Sequence, residues 1–133
     1  MGKIGGAQES SVMHFKSEVL TGATGTVTTS VRSSVANPAG RPVMITGVAF
    51  VVSTAASGAC TLDVGVAADA TTVSDTLLDG IDVNASTGVK STLGTNGLRQ
   101  RTWSATECVN VNCASGTITG LVGYLSITYA VLP

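Results

Sequence analysis

Apolar and polar residues alternate along several short stretches of the chain, as they do in a β-strand that buries one face. The alternation is clearest over Cys60–Val66, Val109–Cys113 and Leu121–Val131, and it is also present over Met13–Val19 and Val27–Val35. No useful length of the sequence keeps the 3.6-residue period of an amphipathic helix. The pattern therefore predicts an all-β chain with roughly six to eight short strands.

One further stretch, Val43–Val52, is apolar on both faces. Such a strand is either central in a sheet that is covered on both sides, or it is covered by another subunit. Strict alternation assigns Met44, Val48, Phe50 and Val52 to one face and Val43, Ile45 and Val51 to the other.

Turn residues separate these strands. Asn37–Gly40 predicts a turn, because its proline presets φ and its glycine can adopt a positive φ. Thr54–Gly58 connects two strands, Ala114–Gly116 predicts a short antiparallel hairpin between the last two, and Ala67–Leu98 has room for one or two strands with long loops. Together these features predict an antiparallel β-sandwich that is jelly-roll or Greek-key-like.

The ends of the chain suggest one domain with an arm. Residues 1–10 are rich in glycine and small polar residues and cannot form a core element, so we expect a flexible N-terminal arm there. Residues 11–133 are then a single β-sandwich domain. If a partner surface orders the arm, Lys3 and Ile4 are its expected contacts.

The chain carries few charges. Charged residues make up 11 % of it, against about a quarter in typical soluble domains. Its exterior must therefore be built largely from small neutral residues, which protect poorly against association, so we expect partner subunits to cover part of it. Seven basic and eight acidic residues leave no surplus for nucleic-acid binding. No apolar run approaches the ~20 residues of a membrane-spanning helix, and no membrane partner is expected.

The residues suited to catalysis are sparse. His14 is the single histidine, it falls on the polar side of a predicted strand, and no GxSxG motif accompanies it. We therefore expect no enzyme, no catalytic residue and no cofactor.

Aspartate and cysteine are the other residue types in the chain that can form metal or redox sites. Five aspartates lie close together without the EF-hand pattern, so turn and loop roles are favoured, and calcium binding is left as an open alternative. Three cysteines cannot form a complete disulfide framework, and their spacing does not fit zinc. Two of them, Cys60 and Cys113, share the parity of core residues, and we expect reduced thiols and no metal ligands. The five aspartates are Asp63, Asp69, Asp75, Asp79 and Asp82.

One basic-aromatic patch remains. Trp103 follows Arg99 and Arg101, and tryptophan and arginine are favoured in interface hot spots. The residues favour a Trp103 that closes one end of the sandwich, with the arginines solvated or stacked on it. The functional interpretation is that Arg99, Arg101 and Trp103 are partner contacts.

Two segments carry a family resemblance. Thr54–Asp69 with Ser74–Val83, and the closing Ala114–Gly116 with Gly120–Tyr129, resemble small structural proteins of tailed bacteriophages, over about residues 43–130. Members with an assigned role are capsid decoration (cement) or head-fibre proteins. The resemblance implies a jelly-roll-like sandwich, often trimeric, on the outer capsid surface at three-fold or quasi-three-fold points, and it supplies no catalytic residues.

The sequence thus predicts a non-enzymatic virion structural protein, made in the host cytoplasm and placed on the outer capsid surface. It would stabilise the phage head by bridging major capsid protein subunits, and it would associate with copies of itself, as a trimer. The alternative is a receptor- or carbohydrate-binding β-sandwich module of a phage tail or head fibre.

Overall fold

The computed structural model describes residues 12–16, 20–21, 31–90 and 102–132, with side chains described from residue 31 onward. Every regular element in these ranges is a strand, and no helix there is long and apolar enough to cross a membrane. The strands are β1 (Val12–Lys16), β2 (Leu20–Thr21), β3 (Val31–Ala36), β4 (Val43–Thr54), β5 (Cys60–Ala67), β6 (Leu78–Asp82), β7 (Gly88–Lys90), β8 (Thr102–Trp103), β9 (Cys108–Gly116) and β10 (Val122–Val131).

The strands form two antiparallel sheets. Sheet I has the order β1-β10-β4-β7, with β2 also paired to β10 and β8 also paired to β4. Sheet II has the order β3-β9-β5-β6. The predicted all-β antiparallel sandwich is confirmed.

The inner faces of the two sheets share one hydrophobic core, which explains why the alternation is so regular. Sheet I contributes residues of β4 and β10, and sheet II contributes residues of β5 and β9, to the same buried cluster. The predicted core positions on β5, β9 and β10 are buried as expected: Cys60, Leu62, Val64, Val66, Val109, Val111, Cys113, Leu125, Ile127 and Tyr129.

Two predictions about β4 and β9 were wrong. Residues 114–116 are not a hairpin turn: they belong to β9, which pairs with β3 and β5, whereas β10 lies in the other sheet. Strict alternation also fails along β4, because Thr128 pairs with Gly47 while the next residue, Tyr129, pairs with Ile45. This β-bulge leaves Thr46 unpaired and shifts the parity by one residue.

Strict alternation places Val43 and Ile45 on the face opposite Phe50, but because of the bulge all three lie on the core face. Met44, which strict alternation groups with Phe50, is exposed. The buried set on β4 is Val43, Ile45, Val48, Phe50 and Val52.

The other turn and loop predictions agree with the structure. The Asn37 Oδ1 accepts hydrogen bonds from the backbone N–H groups of Ala39 (2.8 Å) and Gly40 (3.2 Å), and Gly40 has φ +68°. The connection between β4 and β5 lies at residues 55–59, and the described part of the segment 67–98, up to residue 90, contains two short strands, β6 and β7.

Candidate interaction surface

Charge is unevenly distributed over the fold. All five aspartates lie between Asp63 and Asp82, on β5, β6 and the loop between them, which is one edge of sheet II. The two long strands at the centre of sheet I, β4 and β10, contain no charged residue. Sheet II therefore has an acidic edge, whereas the two central strands of sheet I are uncharged and the nearest basic residues of that sheet are on β1 (Lys16) and β7 (Lys90).

We call the outward surface of sheet I the neutral face. Val89 is 70 % exposed and lies opposite Val51, which in turn lies opposite Tyr124. At the other end Met44 is 40 % exposed, opposite Ala130. The neutral face comprises Met44, Thr46, Ala49 and Val51 of β4, Val122, Tyr124, Ser126, Thr128 and Ala130 of β10, and Val89 of β7.

Between its two apolar ends the neutral face carries small hydroxyl residues. Ser126 lies opposite Ala49, and the Thr46 hydroxyl donates a hydrogen bond to the backbone carbonyl of Thr128 (3.0 Å). This bond anchors the unpaired residue of the bulge to the neighbouring strand. The β4 and β10 part of this surface is uncharged and partly apolar, which is the composition of the charge-depleted centre of a protein interface.

The outward surface of sheet II is different, because a loop of the chain itself crosses it. The loop at residues 68–76, which we call the strap, receives two hydrogen bonds from the buried Asn110 side chain, to the carbonyls of Asp69 (2.8 Å) and Thr72 (2.7 Å). Thr76 Oγ1 accepts a hydrogen bond from the Val66 N–H (2.9 Å).

A glycine makes room for the strap. A Cβ atom on Gly65 would collide with Ser74 Oγ and lie 2.6 Å from the Thr76 nitrogen. The strap therefore sits directly on the backbone of β5. Intramolecular contacts already cover this part of sheet II, so the neutral face of sheet I is the better candidate for contact with another protein.

The aspartates serve mainly the turns, as the sequence favoured. Asp69 Oδ1 accepts bonds from the backbone N–H groups and hydroxyls of Thr71 and Thr72, which lower its pKa. The N–H groups of Asn84 and Ala85 do the same for the pKa of Asp82. These bonds account for Asp69 and Asp82 as structural features of tight loops.

Asp63 is the exception among the acidic side chains with shifted pKa values. Its partial burial raises its pKa, and the nearby carboxylates of Asp79 and Asp75 add to the rise, although the Gly80 N–H bond (2.8 Å) opposes it. Within the described residues no three histidine, cysteine, aspartate or glutamate side chains are arranged to hold a metal ion. The calcium alternative therefore gains no support from the part of the chain that the structure describes.

Trp103 occupies the core rather than the surface. Its side chain is 0 % exposed, its ring meets that of Tyr129 edge-on with centroids 6.1 Å apart, and its Nε1–H donates to the Glu107 carbonyl (2.8 Å). This burial agrees with the interpretation that Trp103 closes one end of the sandwich, and gives no support to a partner contact through its indole.

The remaining predicted contacts, Lys3, Ile4, Arg99 and Arg101, lie outside the described residues and stay predictions. The arm at residues 1–10 lies outside them too. His14 is on β1, opposite Thr128 of β10, and its side chain is not described. None of the neutral-face residues was predicted from the sequence to be a contact. A signal was nevertheless present, because the segments that form β4 and β10 are long and contain no charged residue.

Comparison with known proteins places this fold. No protein-family model and no curated protein matches the chain. Among solved structures, a chain in "Capsid of Ralstonia phage GP4" matches with a TM-score of 0.65 and 19 % identity, over 91 % of this chain and 85 % of that one. A chain in "Cyanophage Pam1 capsid asymmetric unit" matches with a TM-score of 0.56 and 20 % identity, over 100 % of this chain and 93 % of that one. At these identities the likeness establishes a shared fold along nearly the whole chain.

Proposed function

We propose that the chain is a non-enzymatic structural protein of a tailed-bacteriophage virion, a decoration or cement protein on the outside of the head. The observation that carries the proposal is the shared fold with chains of two phage capsid structures, which extends over 85 % and 93 % of those chains. Because both chains are matched over most of their length, this chain resembles whole capsid components rather than a small part of a larger one.

The topology supports a capsid jelly roll. The antiparallel pairs are nested along the chain, with β1 on β10, β3 on β9, β4 on β7 and β5 on β6. Such nesting arises when one long hairpin rolls up into two sheets, which is the arrangement of the eight-stranded jelly rolls found in viral capsids and lectins.

The neutral face supplies the contact surface in this proposal. It would rest on major capsid protein subunits or on like copies, and its β4 and β10 residues carry no charge that has to be desolvated when they are covered. A rigid sandwich that spans a junction between shell subunits adds a small stabilising energy at each of many identical sites. Closed cyclic association, with the trimer as the proposed state, would present several such faces at once.

A carbohydrate-binding module is less well supported. Sugar rings stack on exposed aromatic side chains, but Trp103 and Tyr129 are buried. Tyr124, on the neutral face, is half-buried, so the described surface offers little of the aromatic platform that glycan binding requires.

The proposal is tested with heads of the encoding phage that were assembled without this protein. Purified protein should co-sediment with these heads to a saturating, fixed ratio to the major capsid protein. It should also raise the temperature at which the heads rupture. Failure to bind heads, or binding that never saturates, would refute the decoration role.

A matched pair of variants locates the surface. Met44→Lys places a charge on the neutral face, and Val73→Lys places one on the strap, at nearly equal exposure (40 % and 42 %). We expect Met44→Lys to weaken head binding at least about tenfold, a loss of about 1.4 kcal/mol, because the charge must be desolvated when the face is covered. Val73→Lys should bind as the parent does. Equal affinity of the two variants would remove the neutral face from the proposal.

A further inference from the structure

Two of the three cysteines lie against each other in the core. The Sγ atoms of Cys60 and Cys113 are 3.9 Å apart, and both side chains are buried. The two residues are 53 positions apart in sequence and lie on adjacent antiparallel strands of sheet II, β5 and β9.

An irregularity in strand pairing helps to bring them together. Leu62 lies opposite Cys113, but Thr61 lies opposite Ser115, so Ala114 is an extra residue on β9. Cys60 is therefore diagonal to Cys113 on the same, inward-facing side of the sheet. A disulfide bond has a sulfur–sulfur distance of about 2.05 Å. The two sulfurs need to approach by about 2 Å, which side-chain rotation shared between the two residues can supply.

The third cysteine is excluded from this pair by its position. Cys108 lies at the other end of β9, opposite Ala67, five residues from Cys113. Five residues of extended strand place it roughly 17 Å away. Only Cys60 and Cys113 are therefore within reach of each other in the folded chain.

We propose that Cys60 and Cys113 are a latent disulfide pair, which a small peroxide oxidises to a covalent link between β5 and β9. One cysteine thiolate attacks an oxygen of the peroxide, so that the O–O bond breaks and a sulfenic acid forms. The sulfur of the second cysteine then attacks the sulfenic sulfur, and the S–O bond breaks. With hydrogen peroxide the sum is two thiols and one peroxide giving one disulfide and two waters.

The position of the pair gives the oxidant a route. Cys60 is the first residue of β5, and Cys113 lies three residues before the end of β9 at Gly116. The chain neighbours Ala59 and Ser115 are exposed, and a hydrogen bond between the Thr61 and Ser115 hydroxyls (2.7 Å) joins the two strand ends on the outward face of the sheet. Strand ends open more readily than strand centres, so opening of these ends uncovers both sulfurs.

The closed state should protect the pair. Burial, together with the neighbouring Cys113 thiol, raises the pKa of Cys60 to about 12, so this thiol is protonated at neutral pH. Because the thiolate is the nucleophile, oxidation should be slow in the folded protein and faster when mild denaturant increases opening. The proposal concerns the chain alone and does not depend on its role in a virion.

The test uses the full-length chain, with and without a small excess of hydrogen peroxide. After denaturation, the reduced protein should show three thiols and the oxidised protein one. Oxidation should raise the Tm by about 5–10 °C, because the link constrains a long loop of the unfolded chain, and a reductant should reverse the rise.

Two variants and a peptide map identify the link. Cys108→Ser should still lose two thiols on oxidation, and its digest should contain a reducible cross-link between the peptides that carry Cys60 and Cys113. Cys113→Ser should form no internal cross-link. Wild-type protein that keeps all three thiols, that cross-links through Cys108, or whose Tm falls on oxidation would overturn the proposal. If Cys113→Ser does not fold, the peptide map of Cys108→Ser decides the question alone.

Discussion

Replacing Phe50 by alanine should lower the free energy of unfolding by about 3–5 kcal/mol. Phe50 is buried at the centre of β4. Its ring fills the space left by a missing side chain on β10, since a Cβ atom on Gly123 would lie 2.6 Å from Phe50 Cε1. Without the ring a cavity opens beside a glycine that has no side chain to fill it, so the loss should lie in the upper part of that range.

The matched control is the next residue, on the other side of the same strand. Val51 is half-buried on the neutral face, so Val51→Ala should cost about 1 kcal/mol or less. Chemical denaturation of both variants in the same buffer measures the two losses. Similar losses, or a loss below about 1 kcal/mol for Phe50→Ala, would contradict the assignment of Phe50 to the core face.

Replacing Trp103 by alanine should also cost about 3–5 kcal/mol, through folding rather than through lost partner contact. The indole is fully buried, packs edge-on against Tyr129 and donates a hydrogen bond to the Glu107 carbonyl. The backbone carbonyl of Trp103 also accepts a bond from Asn37 Nδ2 (3.0 Å), which links the end of sheet I to the turn after β3.

A second variant separates these contributions. Trp103→Phe keeps an aromatic ring beside Tyr129 but loses the indole N–H, which leaves the Glu107 carbonyl without that donor. It should lose less stability than Trp103→Ala, and at a temperature where it is folded it should bind phage heads as the parent does. A stable Trp103→Phe variant with weakened head binding would instead support a partner contact through this residue.

The sequence predicted the sandwich because burial in two facing sheets imposes a period of two on each strand. Cys60–Val66 and Val109–Cys113 show that period without interruption, and both are strands with the expected buried face. The period failed where the backbone departs from a regular ladder. The bulge at Thr46 shifted the inward positions of β4, and no local signal distinguishes such a bulge from a regular strand.

Other features were hidden because they depend on contacts between distant segments. The alternation along β9 places Asn110 on the face opposite the core, and the strap buries it there through two hydrogen bonds. The chain passes from sheet II to sheet I after β9. The segment 114–116 was predicted to be a turn, but its small residues and glycine are equally compatible with the end of a strand. Only the pairing partners of β9 and β10 separate the two cases.

The low charge of the sequence predicted that partners cover part of the exterior, but it did not predict which sheet they would cover. The choice of sheet I follows from the strap that already covers part of sheet II. Trp103 lies beside arginines, which is the composition of an interface hot spot, but a core role also fits the sequence, and only the contact with Tyr129, far along the chain, shows that the indole packs inside.

Imaging of intact particles tests the central claim most directly. Single-particle reconstructions of the encoding phage and of a mutant that lacks this gene should differ by density on the outside of the head. That density should have the size of one β-sandwich per copy, repeat with the symmetry of the shell, and rest on the junctions between major capsid protein subunits. Identical heads, or a difference confined to the tail or to the interior of the shell, would contradict the account.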